Sequence, residues 1–184
     1  MSRPTHILRH EHRVIERALR ALDGMCLYLK SGGNVPPEAL YQILDFIQNF
    51  ADRFHHTREE TYLFPALGHS GFQMDGGALR FLMVEHETER MLTAELELAI
   101  GEYRHGDASA IDRFVEAASL YRDHMAGHMR EEDAILFRLA EEVLDEAVKA
   151  SLTQSFAQEE AQGCDGIVAR YEGLAQELEK NWAV

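Results

Sequence analysis

Apolar residues recur along this chain at steps of three and four over stretches of twenty residues and more. That is the period of a buried helix face, and no sustained apolar/polar alternation of the kind a half-buried strand needs occurs. With only four prolines in 184 residues to interrupt it, the pattern predicts an all-α protein. The first stripe, Leu8, His12, Ile15, Leu19, Leu22, Cys26 and Leu29, predicts a helix over about residues 5 to 31 that stops at Ser31-Gly32-Gly33, where glycine adopts a left-handed C-cap. Pro36 and Pro37 suit the first turn of a second helix, whose stripe of Leu40, Leu44, Ile47, Ala51, Phe54 and His55 runs on to Pro65 and Gly68. After a loop, a third helix begins near Gly77 with Asp75 as its cap and carries Leu79, Leu82, His86, Thr93, Leu96, Ile100 and Tyr103 to His105-Gly106. The fourth places Ile111, Phe114, Ala118, Tyr121, Met125, His128, Glu132, Ile135 and Leu139 on one stripe, with Asp107 or Ser109 as N-cap. Short connections between long helices favour an up-down-up-down four-helix bundle, here over residues 1–145. Residues 146–184 form a C-terminal helical extension, broken at Gly163 and Gly166 and packed on the bundle through Ile167, Tyr171, Leu174, Leu178 and Trp182.

Charge narrows the function. The chain has 18 Lys and Arg against 32 Asp and Glu, a net charge of −14, which disfavours nucleic acid and anionic membranes as partners. No apolar run approaches the roughly 20 residues of a membrane span, and MSRPTHILRHEH lacks the apolar stretch of a signal peptide, so a cytoplasmic location is expected. Cys26 and Cys164 lie far apart without CxxC spacing, so neither a disulfide framework nor a thiolate zinc site is expected. Ten histidines are the compositional oddity.

Those histidines sit in an internal repeat. Glu11-His12 recurs as Glu85-His86, and His55-x-x-x-Glu59-Glu60-x-x-Leu63-Phe64 recurs as His128-x-x-x-Glu132-Asp133-x-x-Leu136-Phe137, at offsets of 74 and 73 residues. Each half supplies one helix with a histidine and one with a His-x-x-x-Glu pair, and two hairpins related by a pseudo-twofold would bring all six side chains together. Residues i and i+4 share a helix face, so each pair presents an imidazole and a carboxylate toward one point. They do so on the core stripe, where an ionised carboxylate costs several kcal/mol unless a cation compensates. Four imidazoles and two carboxylates from four helices are the donor set of a dinuclear carboxylate-bridged site, and they suit iron ahead of manganese or zinc. With an oxo or hydroxo bridge between two irons, this set leaves about two of about twelve coordination positions exchangeable, for O2, NO, peroxide or water.

In these segments the chain resembles hemerythrin-like proteins, the HHE cation-binding domains, over about residues 5 to 142. The resemblance implies the four-helix bundle and assigns His12, His55, Glu59, His86, His128 and Glu132 as metal ligands, with Glu59 and Glu132 bridging. Oxygen-carrying hemerythrins have a further histidine where this chain has Arg90, and an Asp five residues after the last histidine, where this chain has Asp133 in addition to Glu132. The chain thus looks more like the four-His/two-Glu subfamily that includes repair-of-iron-centres proteins and the hemerythrin domain of an iron-sensing F-box protein. The implied function is that of a non-haem di-iron protein that binds or reacts with O2, NO or peroxide in stress response or iron homeostasis. If it is an enzyme, peroxide or NO reduction is the expected reaction. The alternative is a non-catalytic, iron-dependent interaction module that contacts a protein partner.

Bland readings suffice elsewhere. His6, His10 and His56 fall off the stripe or near a helix end, and His69 and His105 fall in loops, so all five are expected to be solvated. His124 is read as a rim residue, Glu89 as a salt-bridge partner of Arg90 or of a neighbouring helix, and Tyr62, Tyr121 and Cys26 as packing residues.

Overall fold

In the computed structural model, residues 3–72, 76–107, 109–163 and 166–183 are described. They form helices and short connections, with no strand among the described residues. The first rod is α1 (Pro4–Lys30). It ends where Gly32, at φ 85°, takes the left-handed conformation and the amides of Gly32 and Gly33 donate back to Leu29 and Tyr28. The second rod is a continuous run of α2 (Pro37–Phe46), two π-helical stretches, π1 (Ile47–His56) and π2 (Glu59–Leu63), and α3 (Phe64–His69). The third is α4 (Gly77–Arg104), entered through Gly76. Asp75, expected as its cap, lies outside the described residues. The fourth joins α5 (Ala110–Glu131), a third π-helical turn, π3 (Glu132–Leu136), and α6 (Phe137–Val143). These rods make the expected four-helix bundle, with α5 between α1 and α4, and α4 against α2 and π1.

The C-terminal segment divides into α7 (Glu146–Gly163) and α8 (Ile167–Trp182). α8 lies along α1 and touches α2. The approach is close at Gly24, where a Cβ would stand 1.7 Å from the carbonyl oxygen of Trp182, so only glycine fits. α7 lays Leu152 and Phe156 on the opposite end of the bundle, against Leu8, Leu63, Phe64, Leu67, Leu136 and Phe137. A larger apolar cluster, from Val14 to Leu178 and including Phe46, Phe50, Phe114, Tyr121 and Met125, fills the other end. Two clusters rather than one result because a layer of buried histidine and glutamate crosses the bundle between them.

One sequence expectation fails here. Ile135, placed on the core stripe of the fourth helix, is 58% exposed. The π-helical turn starting at Glu132 rotates the helix face, so that Leu136, Phe137 and Ala140 are buried in its place.

Candidate metal centre

The polar layer gathers His12 from α1, His55 and Glu59 from the second rod, His86 from α4, and His128 and Glu132 from the fourth rod. All six are buried. They fall into two overlapping tetrads, His12, His55, Glu59 and Glu132, and His86, His128, Glu59 and Glu132. The carboxylates are shared with an oxygen for each side. Glu59 has Oε1 3.8 Å from His55 Nε2 and Oε2 3.5 Å from His86 Nε2. Glu132 has Oε2 3.3 Å from His12 Nε2 and Oε1 3.4 Å from His128 Nε2.

The outward nitrogens explain why each Nε2 faces inward. His12 Nδ1 lies 3.2 Å from Asp133, His55 Nδ1 2.8 Å from Glu11, His86 Nδ1 2.7 Å from Glu60 and His128 Nδ1 3.0 Å from Glu85. A carboxylate only accepts, so each Nδ1 carries the proton it donates and each Nε2 is left with a lone pair. The repeat acquires its meaning here. The Glu of each Glu-His pair holds the histidine of the next rod, and the second acid of Glu59-Glu60 or Glu132-Asp133 holds the histidine of the other half. Even the packing is doubled, with Phe137 stacked on His12 at 5.3 Å and Phe64 on His86 at 5.8 Å between ring centroids.

With those tautomers, the 3.0 Å approach of His12 Nε2 to His55 Nε2 and the 3.1 Å approach of His86 Nε2 to His128 Nε2 set lone pair against lone pair. Both oxygens of Glu59 and of Glu132 are buried without a hydrogen bond. Such a set requires positive charge at its centre, supplied by protons or by cations. Protons show the pressure: burial lowers the His128 pKa, but Glu132 and Glu85 outweigh it and push it up to about 9. Burial together with Glu132 and Glu11 drives the Glu59 carboxyl well above the usual range. Cations placed between the imidazole pairs and the shared carboxylates would satisfy these atoms, so the donor set fits a metal centre.

Other candidates separate cleanly. Asp133 bonds His12 and Arg9 from the rim and does not reach the centre. His124 is a rim residue, its Nδ1 3.1 Å from Glu89. Arg90 pairs with Asp52 at 2.7 Å and Glu60 at 2.8 Å, leaving Glu89 buried with Oε2 unbonded. His69 and His105 are exposed and donate to carbonyls of their own helices. Tyr121 is a core residue, and burial pushes the Cys26 thiol up to about 11.

His56 contradicts its sequence reading. It is 1% exposed, stacked on His86 with centroids 4.0 Å apart. A helix face of period 3.6 turns His56 away from the His55 stripe, whereas the π-helical stretch, packed against both α1 and α4, buries both neighbours. Arg58 also escaped sequence reading. It is buried between Phe54 and Phe156, donating to Glu11, to Glu159 at 2.9 Å and to the Phe156 carbonyl at 3.0 Å. It thereby ties α7 to Glu11 and through Glu11 to His55.

A family model described as the hemerythrin HHE cation binding domain matches residues 3–140. Two proteins of Mycobacterium tuberculosis strains and one of Mycobacterium bovis, each described as uncharacterized, are 26% identical to it over 153 residues, 83% of this chain and 59% of theirs. The chain thus spans about three-fifths of the length of the curated relatives it matches. No solved structure gives a significant match.

Proposed function

We propose a function from one premise: this chain belongs to the hemerythrin HHE cation-binding family. Its cation site is a pair of irons, held by His12 and His55 on one side and His86 and His128 on the other, with Glu59 and Glu132 bridging. The observation that carries this is the sharing of the two carboxylates, each with one oxygen toward each imidazole pair and no hydrogen bond of its own. When bound, the irons supply Fe(II)/Fe(III) redox chemistry and an exchangeable position for O2, NO or peroxide. The chain's residues do the rest. Asp133, Glu11, Glu60 and Glu85 fix the four tautomers, and Phe64 and Phe137 pack the imidazoles and exclude water. A small diatomic ligand or peroxide is therefore the partner, in stress response or iron homeostasis.

The test is elemental analysis of the purified chain, followed by anaerobic reduction and optical titration with O2, NO and hydrogen peroxide. Two irons per chain and a ligand-dependent charge-transfer band are expected. Zinc or no metal, with no spectrum and an unchanged fold, overturns the reading. Glu59→Ala or Glu132→Ala should lose at least one metal and His69→Ala none; retention of two metals in both Glu variants would sink the bridging assignment.

The link from α7 through Arg58 to His55 favours a second reading, an iron-dependent interaction module in which loading orders the C-terminal segment for a protein partner. An iron-dependent gain in stability without reactivity toward any of the three small molecules would select it.

A further inference from the structure

The pseudo-twofold that relates the two halves carries α1 onto α4 at the 74-residue offset of their Glu-His pairs. The outer face of α1 is covered by α8. There His10 bonds Glu172, Arg17 lies 3.9 Å and Arg20 2.8 Å from Glu179, Gly24 meets the Trp182 carbonyl, and Tyr28 packs on Trp182 with centroids 5.9 Å apart. On α4 the counterparts of His10, Arg17, Arg20 and Gly24 are Val84, Met91, Ala94 and Leu98. They are bare: Val84, Met91 and Leu98 are 41%, 65% and 62% exposed, and Phe81, one turn before Val84, is 53% exposed. A face that is polar and covered in one half is apolar and uncovered in the other. Leu120 on α5 repeats the contrast, being exposed where its counterpart Ile47 is buried.

The bare residues follow a seam. Positions 81, 84, 88, 91, 95, 98 and 102 alternate steps of four and three, the spacing of a coiled coil, on the side of α4 away from the buried Leu82, His86, Glu89, Thr93 and Leu96. Four large apolar side chains in one exposed row form the kind of patch that marks an interaction surface. Leu98 and Leu120 continue it across a groove of about 410 Å3 between α4 and α5, lined also by Leu92, Ala99 and Ala117. The 28 residues of α4 span about 42 Å, so a strip of that length and two helices wide covers roughly 800 Å2, the share of one partner in a stable interface.

We infer that this face pairs two copies of the chain, α4 against α4, antiparallel about a twofold axis near the level of Glu89 and Arg90. So placed, the seam is self-complementary. Phe81 of one copy meets Leu98 of the other and Met91 meets Thr88, while the small Ala94 and Gly101 make room for Phe81; the space beside Gly101 is open, a Cβ there meeting no atom within 4 Å. Charge selects the antiparallel sense. A parallel pair would set Glu95 against Glu95 and Glu102 against Glu102, whereas the antiparallel pair brings the acidic end of one seam to Arg80 and the N-terminus of the other α4, where negative charge is stabilised. Pairing through this face does not depend on what the buried centre binds.

The test is sedimentation equilibrium of the full chain, with helical content recorded by circular dichroism. The wild type should sediment as a dimer of 20.9 kDa chains. Met91→Lys and Leu98→Glu change only exposed side chains, so each should keep its helical content and raise the dimer Kd by about 30-fold or more. Oxidation of mixed Phe81→Cys and Leu98→Cys chains should join position 81 of one to position 98 of the other, located by peptide mass mapping. A wild type that stays monomeric at every concentration overturns the inference and leaves the face to a different protein. A dimer whose Kd neither charged variant changes overturns it too, because the copies then meet elsewhere. So does a disulfide between two copies of position 98 in the Leu98→Cys chain alone, which requires the parallel sense. Should the charged variants lose helical content, Met91→Ala combined with Leu98→Ala decides by the same comparison of Kd.

Discussion

An imidazole becomes a ligand only when its proton is placed on the far nitrogen, and each of the four central histidines has a carboxylate that places it. These acids are as much part of the site as the ligands. Replacing Glu11 by Gln, which no longer holds His55 by an ionic acceptor, should weaken metal binding by about 10- to 100-fold, measured by competition with a chromogenic chelator. The pH dependence follows from the protons that the metal-free centre holds. His128 is pushed up to about 9, so it carries a proton at neutral pH that metal must displace, and burial with Glu132 raises Glu59 in the same direction. Raised values mean competition strengthens as pH falls. Metal affinity should therefore rise with pH, by about tenfold per unit for each proton released, and level off above about 9. Calorimetry in buffers of different ionisation enthalpy counts the protons; no net release at pH 7 would contradict this account.

Among the elements, the π-helical turns and the two C-terminal helices govern how the site is framed. Glu59 and Glu132 each open a π-helical turn, and the same widening that puts Leu136 and Phe137 inside expels Ile135. α8 depends on the bare backbone of Gly24. Gly24→Ala drives a methyl into the Trp182 carbonyl, and the cheaper response is for the last turn of α8 to lift away. A loss of about 1–3 kcal/mol is expected in denaturant unfolding, with a red shift in emission from Trp182, the one tryptophan of the chain. α7 depends on Arg58. Arg58→Ala leaves Glu11 buried without its cation, at a cost of roughly 3–5 kcal/mol, and should also lower metal affinity because Glu11 loses the anchor that aims it at His55. Unchanged metal affinity in that variant would separate α7 from the centre.

At the scale of the whole molecule, a polar layer crosses a bundle whose two apolar ends would otherwise be one core. Four rods meet there with inward lone pairs and carboxylates, so a cation held at that layer would draw all four together. Removal of metal with a strong chelator should lower stability by about 4 kcal/mol if metal was held at a thousandfold over its Kd. For a chain of this length that is a fall in Tm on the order of 10 °C, read by circular dichroism with and without metal. A Tm indifferent to chelation would mean that protons alone stabilise the layer. Among the described residues no helix is long and apolar enough to cross a membrane.

The sequence by itself determined the helices, because a period of 3.6 is a local property that Leu8 to Leu29 or Leu79 to Ile100 display without reference to anything distant. It also determined that six acids and imidazoles belong together, because the same spacing occurs twice and a duplicated core-facing charge needs one shared explanation. His124 was legible as a rim residue, and His69 and His105 as solvated side chains at helix ends, where they lie. What the sequence left hidden turns on contacts between rods. His56 and Ile135 exchanged their expected places because π-helical turns shift the face, and a wider turn leaves no mark in a pattern read with the α-helical period. Which acid holds which histidine, and the burial of Arg58 beneath α7, are relations between residues 26 to 121 positions apart, fixed only when the rods pack.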